Sequence, residues 1–378
     1  MIYFPPRKYS FHLFRIIPPE LKMHRIRCRR NRGCILYFIR KGMKSSKKSI
    51  PVMTAPVAGC GGPERGVRMG SGALLGSLGL DPGYAPYEIR DSVDFPILVP
   101  ESYCQRMRYG DWNDPLLRQV LPLADEMEEC DGFSTDPVGD AASMVIPGLL
   151  HKYNSRVLLL VSDRCAMHCR FCFRRNTRLP EAVDWDRVWD YIAGDTSIDE
   201  VILSGGDPFC LESKVLSAHL ERAAVIPSVR TVRIHTRLPV ADPGLVDARM
   251  IATITRIASI KTCIVVIHAN HASELGGSCP AALDRLRSTG ALLLNQSVLL
   301  KGVNDSAAVL DALSRALVAH NILPYYLHQL DRAAGAWHFE VEEERGREIV
   351  QDLRRRLPGY AVPRYVREVP GEKAKRPL

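Results

Sequence analysis

The sequence predicts an α/β protein built as a partial (β/α)6 barrel, and three observations predict it. Short apolar runs rich in β-branched residues recur from residue 156 onward at a nearly constant interval. Helical patterns fill the gaps between them. Polar residues collect where the runs end.

The runs are "RVLLLV" (156–161), "EVILSGG" (200–206), "TVRIHT" (231–236), "TCIVVIHA" (262–269), "ALLLNQSVLL" (291–300) and "LPYYLHQL" (323–330). After a longer first gap their starts lie roughly 30 residues apart, close to one strand–helix unit each. Between them "DWDRVWDYIAG" (184–194), "CPAALDRLRSTG" (279–290) and "SAAVLDALSRALVAH" (306–320) carry helical spacing, the last opened by a capping serine. Alternating strands and helices imply a parallel sheet, and nearly continuous apolar strands imply burial on both faces. No G-x-G-x-x-G follows a strand, which disfavours an open dinucleotide-binding sheet. The polar strand ends are Ser204 to Asp207, His235 to Arg237, His268 to His271, Asn295 with Gln296, and His328 to Asp331. In barrels of this kind the carboxyl ends of the strands carry the chemistry.

Charge divides the chain. Residues 1–50 hold 14 Lys or Arg and one acid, Glu20, for +13, so a whole-chain charge of +9 leaves −4 on the remaining 328 residues. Basicity belongs to a tail, and a nucleic-acid reading would rest on that tail alone. The tail lacks clear periodicity and reads as residues upstream of the true start, with Met43, Met53 and Met69 as candidate starts. Residues 1–83 are therefore expected to be a basic, unstructured segment followed by the Gly-rich linker "AGCGGPERGVRMGSGALLGSLG" (58–79), with ordered structure beginning near Tyr84. A helical extension is expected over 84–150, the barrel over 151–340 and a C-terminal segment over 341–378. The composition, 46% hydrophobic and 25% charged, is that of a globular protein, and no apolar run is long enough to span a bilayer. Eleven irregularly spaced cysteines without a secretory signal point to a reducing, cytoplasmic setting, where clustered cysteines mean metal or redox chemistry.

"DRCAMHCRFCFRRN" (163–176) places Cys165, Cys169 and Cys172 as C-x3-C-x2-C in the loop after the first strand. Thiolates are soft ligands for iron–sulfur clusters or zinc. A closed zinc site or an ordinary cubane electron carrier takes four ligands. Three cysteines hold three corners of a [4Fe–4S] cube and leave one iron open to an outside molecule. Zinc with His168 as the fourth ligand is the rival reading. The remaining cysteines are scattered singly, and burial is the default for them.

C-x3-C-x2-C after the first strand of a partial barrel resembles the radical S-adenosylmethionine (SAM) enzymes, and "SGGDP" (204–208) resembles their glycine-rich motif at the end of strand two. The resemblance narrows over residues 85–378. "GFSTDP" (132–137), "IPGLLHKYNSRVLLLVSDRCAMHCRFCFRR" (146–175), "RIHTRLPV" (233–240), "LLNQSVLLKGVND" (293–305) and "PYYLHQLDRAAGAWHF" (324–339) look like lysine 2,3-aminomutases. The likeness is greatest to the short bacterial branch called elongation factor P (EF-P) β-lysylation protein. It implies a radical SAM barrel with a C-terminal lysine loop for pyridoxal 5′-phosphate (PLP), and three cofactors: a [4Fe–4S] cluster, SAM and PLP.

The resemblance also implies roles by position. Cys165, Cys169 and Cys172 hold the cluster. Ser204, Gly205, Gly206, Asp207 and His235 border SAM. Lys375, in "EVPGEKAKRPL" (368–378), is the catalytic lysine that carries PLP, with Lys373 as a rival two positions away. Tyr153 stacks on the PLP ring, Arg156 binds its phosphate and Gln296 lines the same pocket. Arg174 receives the substrate α-carboxylate. Asp331 and Glu368 face the cationic end of a lysine substrate; longer relatives place an aspartate at the second position, and a glutamate there agrees with the short branch. Two acids argue against a glutamate mutase, which would need neutral or cationic groups.

The expected activity is thus isomerisation of free L-lysine to β-lysine, in its R form, for modification of EF-P by a separate ligase. A reductant such as flavodoxin supplies electrons, and neither membrane nor nucleic acid takes part. Homo-oligomerisation is left open, because the chain lacks the C-terminal segment with which longer relatives assemble. The alternatives are a mutase for glutamate or another amino acid, and a non-catalytic iron–sulfur protein that uses the basic tail.

Overall fold

A computed structural model describes residues 21–26, 35–40, 67–92, 94–176 and 183–378. The chain divides into two units, residues 1–60 and 61–378. Within the first, Leu21–Ile26 pairs antiparallel with Ile35–Arg40, Leu21 opposite Arg40. The second of these strands is the apolar run of the tail, for which no periodicity was expected. The rest of that tail, and with it the expectations about start sites and nucleic acid, lies outside the described residues.

In the second unit all six expected strands form, as Arg156–Ser162, Glu200–Gly205, Thr231–Thr236, Thr262–His268, Leu292–Val298 and Leu323–His328, each parallel to the next. A helix follows each one: Trp185–Gly194, Ser213–Val225, Ala248–Ala258, Cys279–Arg287, Ala307–Ala319 and Glu343–Arg356. Side chains start several of them, Asp184 and Ser306 accepting from the backbone N–H three residues on. Helices cover the outer face, which is apolar; the inner face instead mixes apolar residues with Arg156, Ser204, Arg233, His235, Gln296 and His328, so the burial expected on both faces holds for the outer one. Val157, Leu159, Val201, Leu203, Val232, Ile234, Val265 and Ile267 are almost completely buried. The sheet remains open: its order runs without closure between outer strands Met144–Ile146 and Arg376–Pro377.

Three features differ from the sequence reading. First, a seventh parallel strand, Arg364–Arg367, follows the sixth helix, and Arg376–Pro377 folds back antiparallel onto it. At four and two residues these are too short to show a period in the sequence. Second, the Gly-rich segment is not all linker, since Ser71–Ser77 is a helix whose Leu74 and Leu75 are fully buried. Third, residues 84–150 form short single turns such as Glu101–Cys104, Leu117–Gln119 and Ala124–Met127 rather than a helical extension. Recurring prolines, among them Pro96, Pro100, Pro115 and Pro122, interrupt longer helices. The segment still joins the main core through Leu116, Leu117, Val120 and Leu121. Among the described residues, no helix is long and apolar enough to cross a membrane.

That irregular segment braces the cysteine loop. His168 and Arg170 donate their backbone N–H groups to the carbonyls of Leu98 and Gln119. Glu126 accepts from both Arg170 and Arg175, and neither the Glu126 nor the Arg170 side chain has any exposed surface. Both guanidinium groups also lie over the Phe95 ring. Removing one partner of such a buried group leaves charge uncompensated. Glu126→Ala is therefore expected to destabilise the protein by ~3–5 kcal/mol in chemical denaturation, far more than substitution of an exposed glutamate such as Glu348.

Candidate active site

The strand ends and the cysteine loop enclose one cavity of about 380 Å³, within the size range of small-molecule sites. Its wall includes Cys165, Cys169, Cys172, Ser204, Gly205, Gly206, Asp207, His235, Gln296, Tyr153, Arg156, Arg174, Asp331, Glu368 and Lys375. Every expected site residue is therefore brought to the same space. Lys373 is exposed and outside that wall, so the geometry separates the two lysines.

All three thiols are free. Burial pushes each of them up, Cys169 to about 11, so they would ionise only against a metal cation. His168 does not line the cavity that the three cysteines wall; its Nδ1 lies 2.8 Å from the Pro96 carbonyl and its ring stacks on Phe95 at 4.6 Å. Among the described residues, no three His, Cys, Asp or Glu side chains are grouped for a single metal ion. Three soft donors on one loop, walling a cavity wide enough for more than one atom, fit the corners of a cluster.

The glycine motif has a more specific cause than close approach of a ligand. Gly205 has φ 118°, and a Cβ there would meet the Ser162 carbonyl oxygen at 2.3 Å. A Cβ on Gly206 would meet the Arg164 carbonyl oxygen at 2.4 Å. Instead Gly206 N–H donates to Ser162 O at 2.6 Å and Asp207 N–H to Arg164 O at 2.7 Å. The glycines let the second strand lie directly against the head of the cysteine loop. Asp207 is equally engaged, its carboxylate accepting from Thr236 Oγ1 and from the N–H groups of Phe209, Arg237 and Leu238 at 2.7–2.9 Å. It ties the second strand end to the third, and its carboxylate is taken up by that task. His235 faces the cavity as a neutral imidazole, since burial, then Arg233, hold it well below its usual range.

On the opposite wall, Arg156 lies over the Tyr153 ring at 4.7 Å, and Tyr153 donates its hydroxyl to Glu368 at 2.6 Å. Arg174 donates Nε and Nη2 to Asp140 and Nη1 to Ser204 Oγ, at 3.1–3.3 Å. Lys152 lies 3.1 Å from Glu368 and 3.5 Å from Asp140. Asp140 and Lys152 went unnoticed in the sequence, where nothing marks them apart from other charged residues; only the fold brings Glu368 across 216 positions to Lys152.

The two acids expected at the far end of the substrate differ sharply. Glu368 pairs with Lys375 and Lys152 and accepts a hydrogen bond from the Tyr153 hydroxyl. Burial opposes its charge, but Lys375 and its other donors prevail and take it down to about 2. The Asp331 carboxylate accepts no hydrogen bond among the described residues, and burial pushes it up to about 6. One carboxylate is saturated and one is open. Lys375 reaches the cavity because Arg376 pairs with Arg367 and Pro377 with Val366, which places it beside Glu368.

This arrangement can hold a soft multi-iron centre, a covalently attached aldehyde cofactor and a cationic side chain together. Comparison with known proteins agrees with it. The chain is 43% identical over 288 residues to L-lysine 2,3-aminomutase of Escherichia coli, covering 75% of this chain and 83% of that protein. It is 38% identical to the enzyme of the same name from Buchnera aphidicola, covering 74% and 83%, and 35% identical to that of Fusobacterium nucleatum, covering 70% and 63%. A radical SAM methyltransferase from Sphaerobacter thermophilus superposes over 58% of this chain and 68% of its own at TM-score 0.40 and 22% identity, too loose a likeness to argue from. No family model matches. The identities to the aminomutases extend over most of both partners, and the chain belongs to the L-lysine 2,3-aminomutase family, radical SAM isomerases that use a [4Fe–4S] cluster, SAM and PLP.

Proposed function

We propose that the chain converts free L-lysine to β-lysine, in its R form, as a substrate for the modification of EF-P. The observation that carries this reading is the open Asp331 carboxylate in the cavity that also holds the three cysteines and Lys375. Bound together, the cluster and SAM supply a hydrogen-abstracting radical, and PLP supplies a π-system that conducts nitrogen from Cα to Cβ. Cys165, Cys169 and Cys172 would hold the iron. Ser204, Gly205, Gly206 and His235 border the space for SAM, with Asp207 fixing the strand end behind them. Lys375 carries PLP, with Tyr153, Arg156 and Gln296 around it.

The chain's own residues orient the substrate. Asp140 holds the Arg174 fork by two nitrogens, which presents the third to a carboxylate. Asp331 receives the ε-ammonium, where burial makes the contact selective for a cation. Glu368, ionised down to a pKa of about 2, accepts a hydrogen bond from the Lys375 amine and holds it at the cavity wall. With PLP on Lys375, Lys152 would still compensate the Glu368 charge and the Tyr153 hydroxyl would still hydrogen-bond it. A low-potential one-electron donor such as flavodoxin would supply the electron that the cluster needs, and a ligase would consume the product. The free thiols suit a reducing cytoplasm.

Incubated anaerobically with lysine, SAM, PLP and dithionite, reconstituted protein is expected to form β-lysine; its absence from protein with full iron, sulfide and PLP would refute the assignment. Asp331→Asn is expected to lower kcat/KM for lysine by about 10- to 100-fold, the ~1.5–3 kcal/mol of a charge-assisted contact, and unchanged kinetics would favour another amino acid. Asp331 is ionised only above about 6, so kcat/KM for lysine should fall as pH drops through that value, and the fall should vanish in Asp331→Asn.

A further inference from the structure

Behind the cysteine loop lies a second cluster of buried polar groups that none of the steps above uses. Arg237 follows the third parallel strand and is 8% exposed. Its Nη2 donates to Gln119 Oε1 and to Glu274 Oε2, both at 2.7 Å, and its Nη1 donates to Cys169 Sγ at 2.8 Å. Its Nε is buried without a partner. Glu274 has no exposed surface and accepts further hydrogen bonds from Gln119 Nε2, the Asn270 and His271 N–H groups and the Tyr103 hydroxyl, at 2.8–3.3 Å. Gln119, Asn270 and Tyr103 are themselves fully buried.

A buried ion pair that only fills the core would close on itself, the carboxylate taking the guanidinium by two parallel bonds. Here Glu274 takes one nitrogen, and a second donor is given to a sulfur. The unpartnered Nε belongs to a residue that also walls the cavity. Gln119, Glu274 and, at 3.5 Å, the Tyr103 hydroxyl thus hold the guanidinium from behind, with its other nitrogen toward Cys169.

We infer that Arg237 is a positioning residue that sets the reduction potential of the cluster through its N–H to the Cys169 sulfur. The inference rests on the cluster assigned under the proposed function. Reduction adds one negative charge to a cluster and its thiolates, so a fixed cationic donor on a ligating sulfur stabilises the reduced form more than the oxidised one. Hydrogen bonds to sulfur, local charge and solvent exclusion are the protein's main levers on such potentials. Burial makes this one strong, because neither water nor salt screens it. Glu274, Gln119 and Tyr103 act only by holding the arginine in place.

Two variants test this: Arg237→Lys, which keeps the charge but loses the fork, and the double variant Arg237→Gln with Glu274→Gln, which removes both charges and leaves neither buried alone. Iron and sulfide per chain are measured after anaerobic reconstitution, and the midpoint potential is read by paramagnetic resonance during redox titration without SAM or lysine. The double variant should keep its cluster and be about tenfold harder to reduce, a fall of ~59 mV for a one-electron couple, with Arg237→Lys between it and the parent. A full cluster at the parental potential would overturn the inference. Loss of the cluster from both variants would also overturn it, since Arg237 would then be holding the loop rather than tuning the iron. A parent chain that binds no cluster would fail earlier, taking the proposed function with it.

Discussion

A loop that must present three thiols to one cavity cannot wander, and buried carboxylates keep this one still. Glu126 grips Arg170 and Arg175 within the loop itself. Asp207 gathers four donors and fastens the second strand end to the third. Glu274 anchors the arginine that touches Cys169. Each carboxylate comes from a different segment of chain, so the loop is located by the whole fold rather than by its own sequence. Ionic groups are costly to bury, and they persist here because each is surrounded by donors.

The same logic separates the acids that face the cavity. Asp331 feels the charge of Glu368, and both acids feel that of Lys375. One is compensated by three donors and stays ionised into strong acid; the other has none and is halfway to neutral near pH 6. A saturated acid organises the protein, whereas an open one is available to a ligand. Two carboxylates that look alike in the sequence thus differ in that one already holds a lysine of the chain and the other holds none.

The fold was legible wherever period and length were sufficient. Six strands of six or seven residues, alternating with helices, declared the parallel sheet, and the triplet of cysteines and Lys375, singled out in the sequence, come to the wall of one cavity. What stayed hidden has a common physical origin. Strands of four and two residues carry no pattern, and a helix among glycines is stabilised by burial of Leu74 and Leu75 rather than by propensity. Asp140, Lys152, Glu126, Gln119 and Glu274 acquire their meaning chiefly from partners 34 to 216 positions away. The extension over 84–150 misled because prolines divide apolar stretches that otherwise suit helices.

Gly205 and Gly206 carry a last consequence. Their missing side chains are filled by the carbonyls of Ser162 and Arg164, so strand two and the start of the cysteine loop behave as one solid piece. Lengthening the loop, or grafting one from a relative with different spacing, would shift those carbonyls and open a gap that only a compensating change in the glycine pair could fill. Descendants of this scaffold should therefore inherit the two segments jointly, and an engineer seeking a different cysteine spacing would have to redesign both at once.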